Sequence, residues 1–398
     1  MSEVAQATHS SPDGHIPQLR FPGFSGVWRE NRLGNIARIF DGTHQTPKYV
    51  ENGIPFYSVE HITANQFDDT KYISEEVFER ENMRVKLERE DILMTRIGNI
   101  GMAKYIDWNV NASFYVSLAL IKKNESFNSK FLSQLIHSPN FQRQLWKRTI
   151  HVAFPQKINL GEIGKCESIL PTKPEQQKIA AFLTTVDNKI EQLSKKQELL
   201  GEYKKGLMQQ IFSQAIRFKA DDGIEFPDWE EKKLGGVGRI RKGSQLNKSE
   251  LTDTGDYPAI NGGINPSGYT DKWNTGKNTI TISEGGNSCG YINFITSKFW
   301  SGGHCYSIEE LKGDVLNRFL FQYLKFNEHL IMRLRVGSGL PNIQKGEINN
   351  FKVNLPSLEE QTKIANFLSL IDTKIEQVGK QLRESKQFKK ALLQQMFV

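Results

Sequence analysis

Arginine, lysine, asparagine and glutamine gathered in loops are the side chains of this sequence best placed for chemistry, and that chemistry is recognition. Arg and Lys grip phosphate or guanine, Asn and Gln pair with adenine, and hydroxyls and imidazoles add single hydrogen bonds. The run Asp41-Gly42-Thr43-His44-Gln45-Thr46-Pro47-Lys48-Tyr49 offers Thr43, His44, Gln45 and Lys48. Its counterpart, Arg239-Ile240-Arg241-Lys242-Gly243-Ser244-Gln245, offers Arg241, Lys242, Ser244 and Gln245. A glycine-punctuated run, Arg96-Ile97-Gly98-Asn99-Ile100-Gly101, corresponds in order to Glu284-Gly285-Gly286-Asn287-Ser288-Cys289-Gly290, and supplies Arg96, Asn99 and Asn287. Glycine there allows a tight turn or a close approach to a ligand, and equally a plain hairpin. Late clusters follow: His151, Gln156 and Lys157, then Arg333, Arg335, Ser338, Asn342, Gln344 and Lys345. One such loop alone is ordinarily just solvated. The same kinds of loop recurring in both halves modestly strengthen the case for nucleic-acid contacts.

Catalytic constellations are not legible. Gly276-Lys277 is followed by Asn278 and has no upstream glycine, so it is not a phosphate loop. No G-x-G-x-x-G follows a strand pattern, and no Asn/Asp-Pro-Pro-aromatic tetrapeptide occurs. Cys289, His304 and Cys305 lack the further ligands of a metal site and read as structural. Glu60, Asp91 and Glu284 have no evident partner carboxylate for acid–base work. The chain is therefore expected to bind no metal and no cofactor of its own.

The elements that must hold these loops announce themselves by repetition. The segment from Pro171 to Phe212 and the segment from Pro356 to Phe397 align without a gap at an offset of 185. Roughly half their positions are identical, far beyond chance at this length. Gly161-Glu162-Ile163 and Gly346-Glu347-Ile348 extend the match upstream. A weaker echo opens each half: Phe21-Pro22 leads to Trp28 and Leu33-Gly34, and Phe226-Pro227 leads to Trp229 and Leu234-Gly235.

In the first copy Ile179, Leu183, Val186, Ile190 and Leu193 begin a series of steps of four and three that runs to Ile211. Ile364, Leu368, Ile371, Ile375 and Val378 begin the same series in the second, running to Met396. This is the seam of a coiled coil. Gln197, Lys204, Ser385 and Lys389 interrupt it and can set register. A helix of ~38 residues is ~57 Å long, and such a seam needs a partner. The two helices are expected to pair antiparallel as a strut with pseudo-two-fold symmetry.

The segments between show apparent strands at 54–59, 91–95 and 114–121 and a helical stretch at 129–148, then strands at 279–282, 291–295 and 305–308 and a helix at 315–334. The expected fold is α+β: two mixed α/β recognition domains joined by two long antiparallel coiled-coil helices. The expected boundaries are a leader at 1–16, a first domain at 17–170, a first helix at 171–212, a linker at 213–225, a second domain at 226–355 and a second helix at 356–398.

Composition agrees with two packed domains. The 398 residues are 38% hydrophobic and 24% charged, which excludes a disordered chain. No apolar run is long enough to span a membrane, no secretory leader is evident, and three cysteines fit a reducing cytoplasm. The net charge of +7 is concentrated in the repeats: residues 171–219 hold 9 Lys/Arg against 5 Asp/Glu, and 356–398 hold 7 against 5. Any nucleic-acid surface elsewhere must come from clustering, not bulk charge.

The doubled motif P-x-x-x-E-Q-x-K-I-A-x-F-L…D-x-K-I-E-Q, with Glu175, Gln176, Ile179, Ala180 and Phe182 matched by Glu360, Gln361, Ile364, Ala365 and Phe367, and the opening Pro17-Gln18-Leu19-Arg20-Phe21-Pro22-Gly23-Phe24, resemble the specificity subunit of type I restriction–modification systems. The resemblance covers about Ile16 to Val398. It implies a noncatalytic subunit whose two target recognition domains each read one half of a bipartite, asymmetric DNA sequence. It further implies that the helical pair fixes the gap and docks two modification subunits, which methylate adenine with S-adenosylmethionine. Two restriction subunits, using ATP and Mg²⁺, would complete the complex. Against these stand two other readings, a self-sufficient enzyme and a coiled-coil adaptor that binds proteins only.

Overall fold

The protein, a computed structural model describing residues 14–337 and 339–398, divides into two compact units. One holds the chain up to Ser194 together with Lys380–Val398; the other is Lys195–Gly379. The expected leader lies outside the described residues except for its last three positions, and Ser338 lies outside them too.

In the first unit, strands Ile39–Asp41, Leu118–Ile121, Ile92–Thr95 and Ala103–Tyr105 form an antiparallel sheet in that order. The central pair reads LALI and ILMT because both faces are covered. Alternation divides them between two cores: Ile92, Met94, Ala119 and Ile121 face one cluster, while Leu93, Leu118 and Leu120 face the other. Helices Ser129–Ile136 and Pro139–Arg148 supply Phe131, Leu132, Leu135, Ile136, Phe141 and Leu145 to the first cluster. A second sheet, in the order Tyr49–Val50, Lys71–Ile73, Ile54–Tyr57, Ser113–Phe114, ends in a parallel pair. Arg29–Arg32 pairs with Glu167–Leu170.

The second unit repeats this order. Arg239–Lys242, Cys305–Glu309, Thr279–Ser283 and Ile292–Ile295 form its antiparallel sheet. Gly268–Thr270, Tyr257–Ile260 and Trp300–Ser301 form the smaller one, again with a parallel pair, and Glu230–Lys233 pairs with Lys352–Leu355.

Several expected elements divide. The apolar run 114–121 is two strands in two sheets, because the chain crosses at Tyr115–Ser117. The stretch 129–148 is two helices: Pro139 has no N–H to continue the first, and the Ser138 hydroxyl accepts from Phe141 N to start the second. The stretch 315–334 likewise divides into Asn317–Phe326 and Glu328–Met332. Val59 opens a helix, Val59–Ala64, instead of closing a strand.

The repeated segments are helices Lys173–Phe212 and Leu358–Gln395, of 40 and 38 residues. Every residue of both seams is buried or half-buried. Each unit holds the beginning of one helix and the end of the other, dividing both at the same point of the repeat, after Ser194 and after Gly379. In the first unit Ile179, Leu183 and Val186 share a core with Leu392, Leu393 and Met396, and Lys389 Nζ lies 2.5 Å from Asp187 Oδ1. In the second, Ile364, Leu368 and Ile371 share a core with Met208 and Ile211, and Lys204 Nζ lies 2.7 Å from Asp372. A start packed on an end is antiparallel pairing. The lysines that interrupt the seam sit where an ion pair fixes its register.

Candidate nucleic-acid interface

Each recognition unit is tied to its long helix by a polar socket built twice from matching residues. Glu175 and Gln176 are buried, as are Glu360 and Gln361. Arg20 donates to both Glu175 oxygens at 2.7 and 2.8 Å; Arg217 does the same to Glu360 at 3.2 and 2.8 Å. The hydrogen bonds that Arg217 donates to Glu360, together with the charge of that carboxylate, raise the Arg217 pKa above its ordinary value. The Gln176 amide accepts from Asn128 N and donates to Pro171 O; the Gln361 amide accepts from Leu316 N and donates to Pro356 O. Phe21 meets Phe182 edge-on, and Phe218 meets Phe367. A buried glutamine of each unit, Gln134 or Gln322, donates to the aspartate that holds the partner helix's lysine. These contacts correct the opening alignment. Phe21 is matched by Phe218, not Phe226, because Arg20-Phe21 and Arg217-Phe218 occupy the same socket.

Over this frame the loops recur at equivalent backbone positions. Gly42 and Gly243 sit where the chain leaves its edge strand. A Cβ there would lie 2.0 Å from Phe114 O and 2.2 Å from Gly302 O respectively, so no larger residue fits. Thr43 N donates to Phe114 O, and Ser244 N to Ser301 O. The glycine-punctuated runs also match: Ile158 N donates to Arg96 O and Ile343 N to Glu284 O, while Gly98 N donates to Gln156 O and Gly286 N to Pro341 O. Each therefore joins its late loop, closed at the base by Ile150↔Lys157 in one unit and Val336↔Asn342 in the other.

Beneath these loops the ion pair is inverted. Asp41 pairs in register with Ala119, and Lys242 holds the same place opposite Tyr306. Arg96 and Glu284 are likewise equivalent. Arg96 Nη1 lies 3.5 Å from Asp41 Oδ2; Lys242 Nζ lies 2.6 Å from Glu284 Oε1. Burial works against the Asp41 charge, but hydrogen bonds and attraction from Arg84 and His44 hold its pKa below the ordinary carboxylate value. Glu284 also accepts from Tyr306 Oη at 3.0 Å. Burial next to that carboxylate pushes the Tyr306 pKa strongly upward.

The candidate residues divide accordingly. His44, Gln45, Lys48, Asn99, His151, Gln156, Lys157, Lys242, Ser244, Gln245, Asn287, Arg333, Arg335 and Lys345 are exposed, and Asn342 is half-buried. Asn99 and Gln156 line one cleft with Arg143 and Trp146. Arg96, at 8% exposure, turns inward: its guanidinium donates to Ile158 O and Val116 O. Thr43 is buried and donates to Glu81, and Arg241 is spent on Glu309, Asn274 O and Thr275. These three position loops instead of facing solvent. Asp91 is enclosed by Lys122 and two backbone N–H groups, a structural role its sequence context did not reveal. Cys289 and Cys305 are buried thiols, and burial pushes Cys305 up to about 11. No helix among the described residues is long and apolar enough to cross a membrane. Sequence reasoning missed the socket arginines and the exposed apolar residues of the late loops, Val152, Phe154 and Leu340. For Phe154 and Leu340 the signal was a large apolar residue directly before proline in a polar loop; Val152 carried none.

Comparison with known proteins accords with this geometry. The sequence matches the family described as type I restriction modification DNA specificity domain over residues 26–200 and 227–384. It is 27% identical to a putative type I restriction enzyme specificity subunit of Methanocaldococcus jannaschii, across 92% of each chain. It is 31% identical to a putative type I specificity subunit of Mycoplasma pneumoniae, over 43% of this chain; the match spans under half, 46%, of that relative's length. The fold resembles the crystal structure of a type I restriction-modification S subunit from M. genitalium, with a TM-score of 0.70, 18% identity and coverage of 96% of this chain and 99% of that one. With its two recognition units, each plugged into a repeated helix, the chain belongs to the type I restriction–modification DNA specificity family.

Proposed function

We propose that this chain is the noncatalytic sequence-specificity subunit of a type I restriction–modification complex, each unit reading one half of a bipartite DNA target. The observation that carries this reading is the paired architecture: matching sockets and repeated helices hold loop sets that are equivalent in backbone but different in side chain. A single frame with two unlike surfaces is suited to an asymmetric target. The exposed Asn99, Gln156 and Lys157 of one unit, and Asn287, Arg333 and Arg335 of the other, present donors and acceptors for base edges and phosphates. The helical pair would set the gap between half-sites and dock two adenine-methylating modification subunits; two restriction subunits would complete the assembly. S-adenosylmethionine, ATP and Mg²⁺ would then belong to those partners, and the complex would work in the cytoplasm.

The test replaces residues 17–165 with the corresponding segment of another family member and maps methylated adenines in cells that also carry the modification subunits. One half of the recognised sequence should change while the other half and the gap persist. A change in both halves, or in neither, overturns the reading.

A further inference from the structure

Four large apolar side chains among the described residues are more than four-fifths exposed, and three of them lie in the two late loops. Phe154 is 102% exposed, Val152 97% and Leu340 86%; the fourth, Met83, is 82%. Phe154 directly precedes Pro155 and Leu340 directly precedes Pro341. A residue before proline is confined to extended backbone, so both side chains project from stiffened positions. Each loop is closed at its base by an antiparallel bridge and tied to a glycine run by a hydrogen bond, Gly98 N to Gln156 O at 2.8 Å or Gly286 N to Pro341 O at 3.0 Å. A side chain held that far out adds nothing to folding; it is buried only when a partner arrives.

The surrounding charge identifies that partner. Residues 126–161 contain five Lys/Arg and no Asp or Glu, and residues 329–346 contain three and none. A carboxylate-free basic stretch complements phosphates. Protein docking surfaces are contiguous apolar patches of several hundred Å². Here only Val152 and Phe154 project from one loop and Leu340 from the other, too few for such a patch, and each pre-proline side chain, Phe154 or Leu340, fits a slot one side chain wide, such as the gap between two stacked base pairs. The two loops differ in length by one residue, yet both carry this arrangement.

We propose that Phe154 and Leu340 are apolar wedges, each entering the base stack of the duplex its unit binds and unstacking one step. This rests on the DNA-reading function argued above and adds a mechanism to it: part of the selectivity is the ease with which a particular step is opened, not only its hydrogen-bonding edges.

The experiment uses the full chain assembled with its modification subunits. The probe is a duplex carrying the sequence that methylation mapping assigns, with 2-aminopurine substituted in turn at each half-site step. Fluorescence should rise at one step in each half. Phe154→Ala should abolish the rise in one half only and weaken binding by ~10–100-fold, the scale of a lost base–side-chain stack; Leu340→Ala should do so in the other half. Phe154→Trp and Leu340→Met should retain both signals. Because these side chains are exposed, unchanged thermal unfolding checks that the variants fold. Selective binding with no unstacking in the wild type, or alanine variants that bind and unstack normally, overturns the wedge alone. So does a loss of modification-subunit association with DNA affinity intact, which makes the tips protein contacts. Absence of any selective binding by the wild-type complex overturns the DNA reading with it.

Discussion

His137 shows how one half-buried group records its surroundings. Its Nε2 accepts from Ala103 N at 3.0 Å, so the ring must stay neutral to hold the strand edge. Burial, and then the positive charge of Lys389, drive its pKa down to about 4, against the pull of Asp187. Between that value and the ordinary 6.5 the unfolded chain binds the proton and the folded chain does not. The contribution is therefore fully present above pH 6.5 and is lost as the pH falls toward 4. Its size is roughly 2–3 kcal/mol. His137→Gln, which keeps an acceptor, should flatten the difference in thermal unfolding between pH 7 and pH 4.5 relative to wild type; an unchanged pH slope would show that the ring titrates freely. The same scale explains why Arg96 was misleading. Its type suits guanine, but Ile158 O, Val116 O and Asp41 claim its donors, and no local pattern distinguishes an inward arginine from an outward one. The inversion beneath the loops, Asp41–Arg96 in one unit and Lys242–Glu284 in the other, preserves the attraction while exchanging its polarity. That is why neither partner betrayed the equivalence by residue type.

The two long helices are the most legible elements, because a period of 3.5 residues sustained over ten seam positions marks a long helix with one continuous buried stripe. What the period does not reveal is why each helix begins where it does. Glu360 is fully buried and is held by Arg217, which also donates to Phe226 O and Pro227 O, and by Trp229 Nε1. Arg217→Ala should cost about 3–5 kcal/mol by leaving that carboxylate uncompensated. Arg217→Lys should rescue little, since one ammonium cannot reproduce the fork and both carbonyl contacts. Pairing Arg217→Ala with Glu360→Gln should recover part of the loss in denaturant unfolding, whereas additive losses would deny the coupling. The socket escaped sequence reasoning because its arginine lies 143 positions from its glutamate. The visible dipeptide Phe-Pro offered a nearer but false alignment. The divided strand at 113–121 escaped for a related reason. The run is largely apolar, broken only by Ser113 and Ser117, while the crossing between sheets is set by distant bonds such as Thr43 N to Phe114 O and Arg96 N to Ser117 O.

At the scale of the whole chain, the same aspartate–lysine pair occurs once in each unit, and each pair joins the two long helices. Both helices must therefore keep a common register. Inserting seven residues after Ser194 alone shifts one seam against the other, so the helices cannot satisfy Asp187–Lys389 and Lys204–Asp372 together; the expected result is a large fall in Tm. Inserting seven residues after Ser194 and seven after Gly379 preserves the heptad and both pairs. It lengthens each helix by ~10 Å, about three base-pair rises. If the helices set the gap, the matched double insertion should fold with near-native Tm and abandon methylation of the native target. Any sequence it does methylate should carry both original half-sites with a longer gap between them. Methylation of the native spacing by the double-insertion protein would show that the gap is set elsewhere. A double insertion no more stable than the single one would show that the shared register is not what holds the helices together.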